Sequence, residues 1–398
     1  MKIILITNMT PASENIRGTS ALPYHLMVHR PSDMEIKIYS FNYNNLERQK
    51  ILEVEKELDA PIELLPQPKW LHWVLKLKIG IIIRMLMKYP PLNYLKLSSQ
   101  DVEKISGHHP DGIWIYGEEM SRIAKQFCKY KRVHTLPDCE SLYYYRMLRQ
   151  RFVFSNWRKY WASAIMYPKF LRMEREFDHS SNIHYYLVGE EDANSLKNIR
   201  PGIQAHFIHH PHYDLFIPEK MVAFHQPKIK LLIAGQYNLY MKQDADLLIN
   251  ELIVASTLQE HYEVTFLGKG WENHVSALRA SGFQVSHIRF AENYIEEVVK
   301  HDIQVTPICI GTGTKGKVLD AIVNGLLVIG SKYALENICV EHEKHCLKYQ
   351  HVKEVVPMLE KISSNISIYE KMAMQGREIV MREHSRKTIS TKMFSLFN

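Results

Sequence analysis

The residues whose types and spacing most plainly suggest chemistry lie in Ile303–Ser331. A strand pattern, Ile303–Ile308, leads into Gly311-Thr312-Gly313-Thr314-Lys315-Gly316, and a helical pattern begins at about Lys317. Glycines let a backbone approach a ligand closely, and free amides at a helix start favour an anion. Two glycines would serve a plain strand-to-helix turn, whereas three with Lys315 and Lys317 favour phosphate contact. Two common phosphate motifs fit poorly. Gly311, Gly313 and Gly316 spell GxGxxG, but that dinucleotide fingerprint belongs in the first βαβ unit of its domain. It also wants an acidic residue about 20 residues on, at the end of the next strand. Here that strand ends in Ile329-Gly330-Ser331. Gly311 to Lys317 spells GxxxxGK, yet Val318 stands where a P-loop needs Ser or Thr to hold Mg²⁺.

Such a loop must be held by a sheet. Short apolar runs alternate with helical patterns at Lys2–Ile6, Ile36–Ser40, Gly112–Tyr116, Arg132–Leu136, Ile183–Val188 and Ala205–His209, the rhythm of a parallel α/β domain. A second series runs through Ile229–Ala234, Glu263–Leu267, Gln284–Ile288, Ile303–Ile308 and Leu326–Ile329. Between them, Pro211, Pro218 and Pro227 mark a linker. At 398 residues two cores are expected, since single cores stop growing at roughly 250–300 residues. Two Rossmann-like domains follow, at 1–212 and 213–381, with a C-terminal helix at about 382–398 packing back on the first. Gly376 and Ser385 are candidate bends in the tail.

Taken in order, these pieces resemble GT-B glycosyltransferases of the family 4 type. Their late C-terminal signature runs Pro, a Gly/Thr/Ser loop, Lys, Leu-Glu-Ala and Gly-x-x-Val. The matching residues are Pro307, Gly311–Lys315, Lys317–Ala321, Gly325 and Val328. Gly235, Gln236 and Lys242 stand where the family commonly has Gly, Arg and Lys, and Gly268-Lys269-Gly270 follows the next strand as the family's Gly-x-Gly does. Arg17-Gly18-Thr19-Ser20 is similar to the glycine loop after strand one. The resemblance implies an α/β GT-B fold, two Rossmann-like domains facing each other across a cleft, with the acceptor side N-terminal and the nucleotide-sugar side C-terminal. It further implies a retaining, metal-independent hexosyl transfer that needs no protein nucleophile and no cofactor beyond a UDP or GDP sugar.

Residue by residue, the carry-over gives Gly18, Thr19, Gln236, Lys242, Gly313, Thr314 and Lys315 to the donor diphosphate and Asp320 to the ribose. Arg289 and Phe290 go to the nucleobase pocket. Asp138 is a candidate for acceptor contact or for capping the helix after it. Two departures stand out. The family's Glu-x7-Glu pair is Thr312 and Asp320 here, and Gln236 replaces an Arg. They leave open a non-catalytic GT-B-like partner subunit. A sugar-nucleotide epimerase of the same fold would need carboxylates and a histidine, for which Glu118, Glu119 and His134 are the candidates.

Composition bounds the setting. Hydrophobic residues at 46% and charged residues at 23% exclude a largely disordered chain. Five cysteines without zinc spacing fit a reducing, cytoplasmic compartment. His206, His209, His210 and His212 straddle a strand end with no Cys or acidic ligand until Asp214, which argues against a zinc site, and His134 inside a strand reads as a core histidine. Ile3–Ile6 is too short for a signal-peptide core, and Ile79–Met87, broken by Arg84, falls short of the ~20 apolar residues a spanning helix needs.

The net charge of +7 is unevenly spread. Leu64–Gln100 and Ser141–Met173 contain no acid and together hold thirteen basic residues, so the remainder of the chain is net acidic. Trp70, Trp73, Trp157 and Trp161 lie in the same stretches. Basic residues interleaved with aromatics suit an anionic membrane surface, where a polyprenyl-linked acceptor is found. Trp70, Trp73, Lys76, Lys78 and Arg84 are the candidate contacts; a solvated face over core aromatics is the alternative. No nucleic-acid motif accompanies these charges. The expected protein is a bacterial enzyme of surface polysaccharide synthesis, capsule or lipopolysaccharide, peripheral at the inner face of the membrane. Its partners are a nucleotide sugar and a glycan or lipid-linked acceptor.

Overall fold

The computed structural model describes the chain except residues 17–18, 77–79, 151, 153–156 and 214–221, together with the side chains of 76, 80 and 81. Two compact units emerge, Met1–Pro211 with Arg386–Asn398, and His212–Ser385.

Unit one holds seven parallel strands: β1 (Lys2–Thr7), β2 (Glu35–Ser40), β3 (Ile62–Leu64), β4 (Gly112–Tyr116), β5 (Lys131–Leu136), β6 (Ile183–Leu187) and β7 (Ala205–Phe207). Their order is β3-β2-β1-β4-β5-β6-β7. Helices cover both faces, which is why the central strands β1 and β4 are buried along nearly their whole length. The period of two survives in the packing: Ile4, Ile6, Ile113 and Ile115 enter one core, and Ile3, Leu5, Trp114 and Tyr116 the other.

Unit two holds six parallel strands: β8 (Ile229–Ala234), β9 (Tyr262–Leu267), β10 (Gln284–Ile288), β11 (Ile303–Thr306), β12 (Leu327–Ser331) and β13 (Leu347–Tyr349). They are ordered β10-β9-β8-β11-β12-β13. Again Leu231 and Ile233 pack on one face, and Leu232 and Ala234 on the other. Each sheet gains a strand that the sequence pattern does not announce. β3 and β13 are three residues long, too short to show a period.

The tail differs in one respect from its sequence expectation. Gly376 makes no bend: it lies inside the helix Ile366–Glu383, where an added Cβ would overlap the carbonyl oxygen of His345. Its role is close packing. The helix ends at Glu383, and the next one, Arg386–Phe394, lies on unit one. There Ser390 Oγ donates to the Leu26 carbonyl at 2.7 Å, and Phe394 meets Trp114 edge-on at 5.6 Å.

Candidate functional site

In unit two the chain leaves β8 toward β9 on one side, while β11 pairs with the other side of β8. The connections therefore diverge between β8 and β11, and at such a switch point a crevice opens at the carboxyl ends of the strands. The glycine loop leaves β11 there. It touches the loop leaving β8, since the Cys309 N–H donates to the Tyr240 carbonyl at 2.8 Å. The loop after β9 presses on the same place. Gly268 has φ +142°, and a Cβ on it would overlap the main chain of Gly235. The indole of Trp271, buried beneath, donates to the Gly235 carbonyl at 2.8 Å.

The glycine loop is tied by its own lysine. Lys315 Nζ donates to the carbonyls of Thr312 at 2.5 Å and Gly313 at 3.0 Å. Asn337 Nδ2 adds a third bond, to the Gly313 carbonyl at 3.0 Å. Gly313 has φ +60°, a left-handed conformation that favours glycine. The helix Gly316–Val323 then begins with Lys315 at its N-cap, and the Lys315 side chain makes no capping bond. So the ammonium expected on a diphosphate is here folded onto the loop that would bind it. Gln236 is exposed at the end of β8, and Lys242 is half-buried at the first position of the helix Lys242–Val254.

Asp320 lies in the second turn of the glycine-loop helix, and Lys317 one turn earlier sits 5.1 Å over the ring of Tyr294. Tyr294 opens the helix Tyr294–Val298. Its hydroxyl is buried without a hydrogen-bond partner among the described residues. Burial, then the Asp320 carboxylate, holds this phenol well above its ordinary pKa. Burial lowers the Lys317 ammonium, with Asp320 opposing. Sequence reasoning passed over Tyr294; its only signal is the Asn293 cap, which accepts from Ile295 and Glu296 N–H groups at 3.1 and 3.2 Å. Arg289 and Phe290 stand elsewhere, at the end of the edge strand β10, three strand spacings or about 14 Å from β11. Arg289 pairs with Glu272 at 3.2 Å, and Phe290 is 77% exposed, so these two enclose no pocket within the unit.

In unit one the corresponding strand ends collect carboxyl groups. Tyr116, the last residue of β4, is in register with Thr135 of β5, so Glu118 and Glu119 after one strand stand beside Asp138 and Glu140 after the other. Burial raises all three glutamates: Glu118 with help from Asp138, Glu119 to about 8 with help from Glu118, and Glu140 with help from Glu118 and Asp138. The helix after Asp138, Glu140–Arg149, has Cys139 at its N-cap position, and the Cys139 N–H donates to Asp192 Oδ1 at 2.8 Å. His134 is wholly buried, and its Nε2 donates to the Gly117 carbonyl at 2.8 Å. Burial drops its pKa to about 4. The exposed Thr19 has its carbonyl held by the Tyr116 hydroxyl at 2.6 Å, whereas Gly18 lies outside the described residues. Of the histidine cluster, His206 hydrogen-bonds His184 at 3.0 Å, and His210 Nδ1 donates to the Pro211 carbonyl at 2.8 Å.

A pocket of about 630 Å³ in unit one is lined by Lys2, Glu35, Lys37 and His108. These lie at the amino ends of β1 and β2, the opposite edge from the switch point, and it is set aside on that ground. Trp70 and Trp73 are exposed on the helix Lys69–Lys76, and Arg84 is half-buried on the helix Gly80–Leu86. The Lys76 side chain and all of Lys78 lie outside the described residues. Among the described residues no helix is long and apolar enough to cross a membrane.

No family model matches the chain, and no curated protein matches it in sequence. Solved structures do match, over essentially their whole length. A glycosyltransferase from Rickettsia africae superposes with TM-score 0.65 at 10% identity, covering 100% of this chain and 97% of that one. HepE of Anabaena, solved in complex with UDP, gives 0.62 at 12%, covering 99% of each chain. The fold is GT-B. Sucrose-phosphate synthase of Thermosynechococcus elongatus shares it at TM-score 0.64 and 12% identity, covering 100% of this chain and 98% of that chain. In this fold both units are Rossmann-like domains, and the glycine loop belongs to the second.

Proposed function

We propose that the protein is a glycosyltransferase that moves a sugar from a UDP- or GDP-sugar to a glycan or lipid-linked acceptor, by a retaining, metal-independent route. The observation that supports this most is the glycine loop running into a helix N-terminus at the β8/β11 switch point, with lysines beside it. Transfer develops negative charge on the departing diphosphate, and preorganised amides and lysines aimed at that charge stabilise it. The amides of Gly313 and Thr314, with Lys315 and Lys242, would serve the diphosphate. Gln236 would add a neutral donor.

Asp320 would hold the ribose hydroxyls and Asp138 the acceptor. Because Lys315 is engaged with two loop carbonyls, the diphosphate must compete for it, and binding reorganises the loop. The setting that fits is the cytoplasmic face of a bacterial membrane, in surface polysaccharide synthesis.

Titration calorimetry with UDP, GDP and their sugars tests the assignment. Lys315→Ala and Asp320→Ala should each weaken binding, and unchanged affinity in both would sink it. Release of nucleoside diphosphate from a donor separates an enzyme from a non-catalytic partner subunit. The raised carboxyls of Glu118 and Glu119 favour one second reading, an epimerase acting on the nucleotide sugar alone. Against it, His134 is sealed inside the sheet, and product analysis without acceptor decides.

A further inference from the structure

Surface helices of soluble proteins bury an apolar stripe and turn polar residues outward. Two regions of unit one invert this. On Lys69–Lys76, Leu71 and Val74 are buried, yet the outer face carries Trp73 at 61% exposure beside Trp70. On Gly80–Leu86, Ile82, Ile83 and Met85 are exposed and Leu86 is 82% exposed. The long helix Trp157–Arg175 repeats the pattern at its start, with Trp157 and Trp161 outward beside Arg158 and Lys159.

Of the eighteen large apolar side chains exposed among the described residues, eleven fall in the two acid-free stretches Leu64–Gln100 and Ser141–Met173. The six tryptophans divide the same way: Trp114 and Trp271 are buried, and the four exposed ones all lie here. These stretches are far apart in sequence but joined in space. The Lys169 ammonium bonds the carbonyls of Arg84 and, at 2.9 Å, Met85, and Arg172 donates to the Lys88 carbonyl at 3.0 Å.

We infer that these two helical regions form one face that docks on an anionic lipid bilayer, Trp70, Trp73, Ile82 and Leu86 entering from one region and Trp157 and Trp161 from the other. Charge selects the occupant. An apolar patch carried by two stretches that hold thirteen basic residues and no acid suits headgroups of phosphatidylglycerol type, and indoles sit well at the depth where headgroup meets acyl chain. A second copy of the chain would bring the same positive flank against itself. The face deepens the glycosyltransferase proposal by naming the surface that carries the enzyme to a lipid-linked acceptor, and it rests on that proposal only for this purpose.

The test uses the full chain without nucleotide, so its failure is separate from failure of the nucleotide titration. In co-sedimentation, vesicles with about one-third phosphatidylglycerol should retain the protein at least tenfold better than pure phosphatidylcholine vesicles, with retention falling as salt rises. Acyl-brominated lipid should quench the exposed tryptophans and leave the emission of Trp114 and Trp271. Two double variants, W73E/L86E and R158E/K159E, should each lose about tenfold in retention, with folding checked by circular dichroism. The second pair matters most, because it lies on the region that one amphipathic hairpin alone would not require. Retention unchanged in either variant, equal binding to neutral vesicles, or no quenching overturns the proposal. So does a dimer in solution that W73E/L86E dissociates.

Discussion

The two units share a strand order, β3-β2-β1-β4-β5-β6 and β10-β9-β8-β11-β12-β13, and differ in what stands at the carboxyl end of the fourth strand of each. After β4 comes Gly117-Glu118-Glu119, with Asp138 and Glu140 beside it. After β11 come three glycines, two threonines and two lysines. Both positions are switch points, so topology gives each unit a place for a ligand, and side chains decide its charge. The second set offers cations and helix-start amides to an anion such as a diphosphate. The buried carboxyls of the first, held high by burial, can exchange hydrogen bonds with hydroxyl groups instead.

The largest effect that could break this comparison is on the loops themselves. Gly268→Ala places a Cβ against the Gly235 main chain at φ +142°, and should destabilise unit two by about 3 kcal/mol. Denaturant unfolding followed by fluorescence should show the transition of unit two moving alone. If both transitions shift together, the units are not separate in stability and the comparison loses its footing. Next in size is Lys315→Ala, which removes a charge-assisted partner of the diphosphate. We expect UDP affinity to fall about thirtyfold in calorimetry, roughly 2 kcal/mol. A loss of less than twofold would mean that the lysine serves only the carbonyls of Thr312 and Gly313.

How much of this was legible follows from what each feature depends on. Strands such as Ile229–Ala234 are mostly apolar because both faces of their sheets are covered, and the run Leu231–Ala234 is visible in sequence. β3 and β13 owe their existence to a neighbouring strand and offer no pattern. The glycine loop was legible because left-handed φ values leave a residue-type signature. The convergence of Glu118 with Asp138 was not, because it needs the Tyr116–Thr135 register, which only pairing establishes. Nor could the sequence show that Lys315 turns back on its own loop, or that the Tyr294 hydroxyl is stranded near Asp320. Nor could the sequence place Cys139 at the N-cap of Glu140–Arg149, with its N–H on Asp192, because that bond spans 53 residues.

A moderate effect sharpens the acidic side. Glu119 has its pKa raised to about 8 in the fold against an ordinary 4.5, chiefly by burial. The fold therefore keeps a proton that the unfolded chain releases. This contribution is fully present below about pH 4.5 and is lost as pH rises through about 8. Glu119→Gln keeps an oxygen that can accept the Leu92 N–H and cannot ionise. Its melting temperature should exceed the wild type's by a few degrees at pH 9 and match it at pH 4.5, by differential scanning fluorimetry. His134, lowered to about 4, works in the opposite sense: its contribution is complete above about 6.5 and is lost as pH falls toward 4. A pH-independent difference between Glu119→Gln and wild type would remove Glu119 from the protonated set.

The smallest effect is the most local. The Tyr294 hydroxyl is buried without a partner among the described residues, beside Lys317 and in the field of Asp320, the residue assigned to the ribose. A buried polar group left unpaired destabilises by about 1 kcal/mol or more, so Tyr294→Phe should raise the melting temperature slightly in the absence of nucleotide. If the hydroxyl is kept because a nucleotide completes its hydrogen bonding, the same variant should bind UDP about three- to fivefold more weakly. It should also discriminate less between UDP and its 2′-deoxy analogue. A gain in stability with undiminished UDP affinity would assign Tyr294 to packing alone, and would leave Asp320 as the sole ribose contact on the donor side.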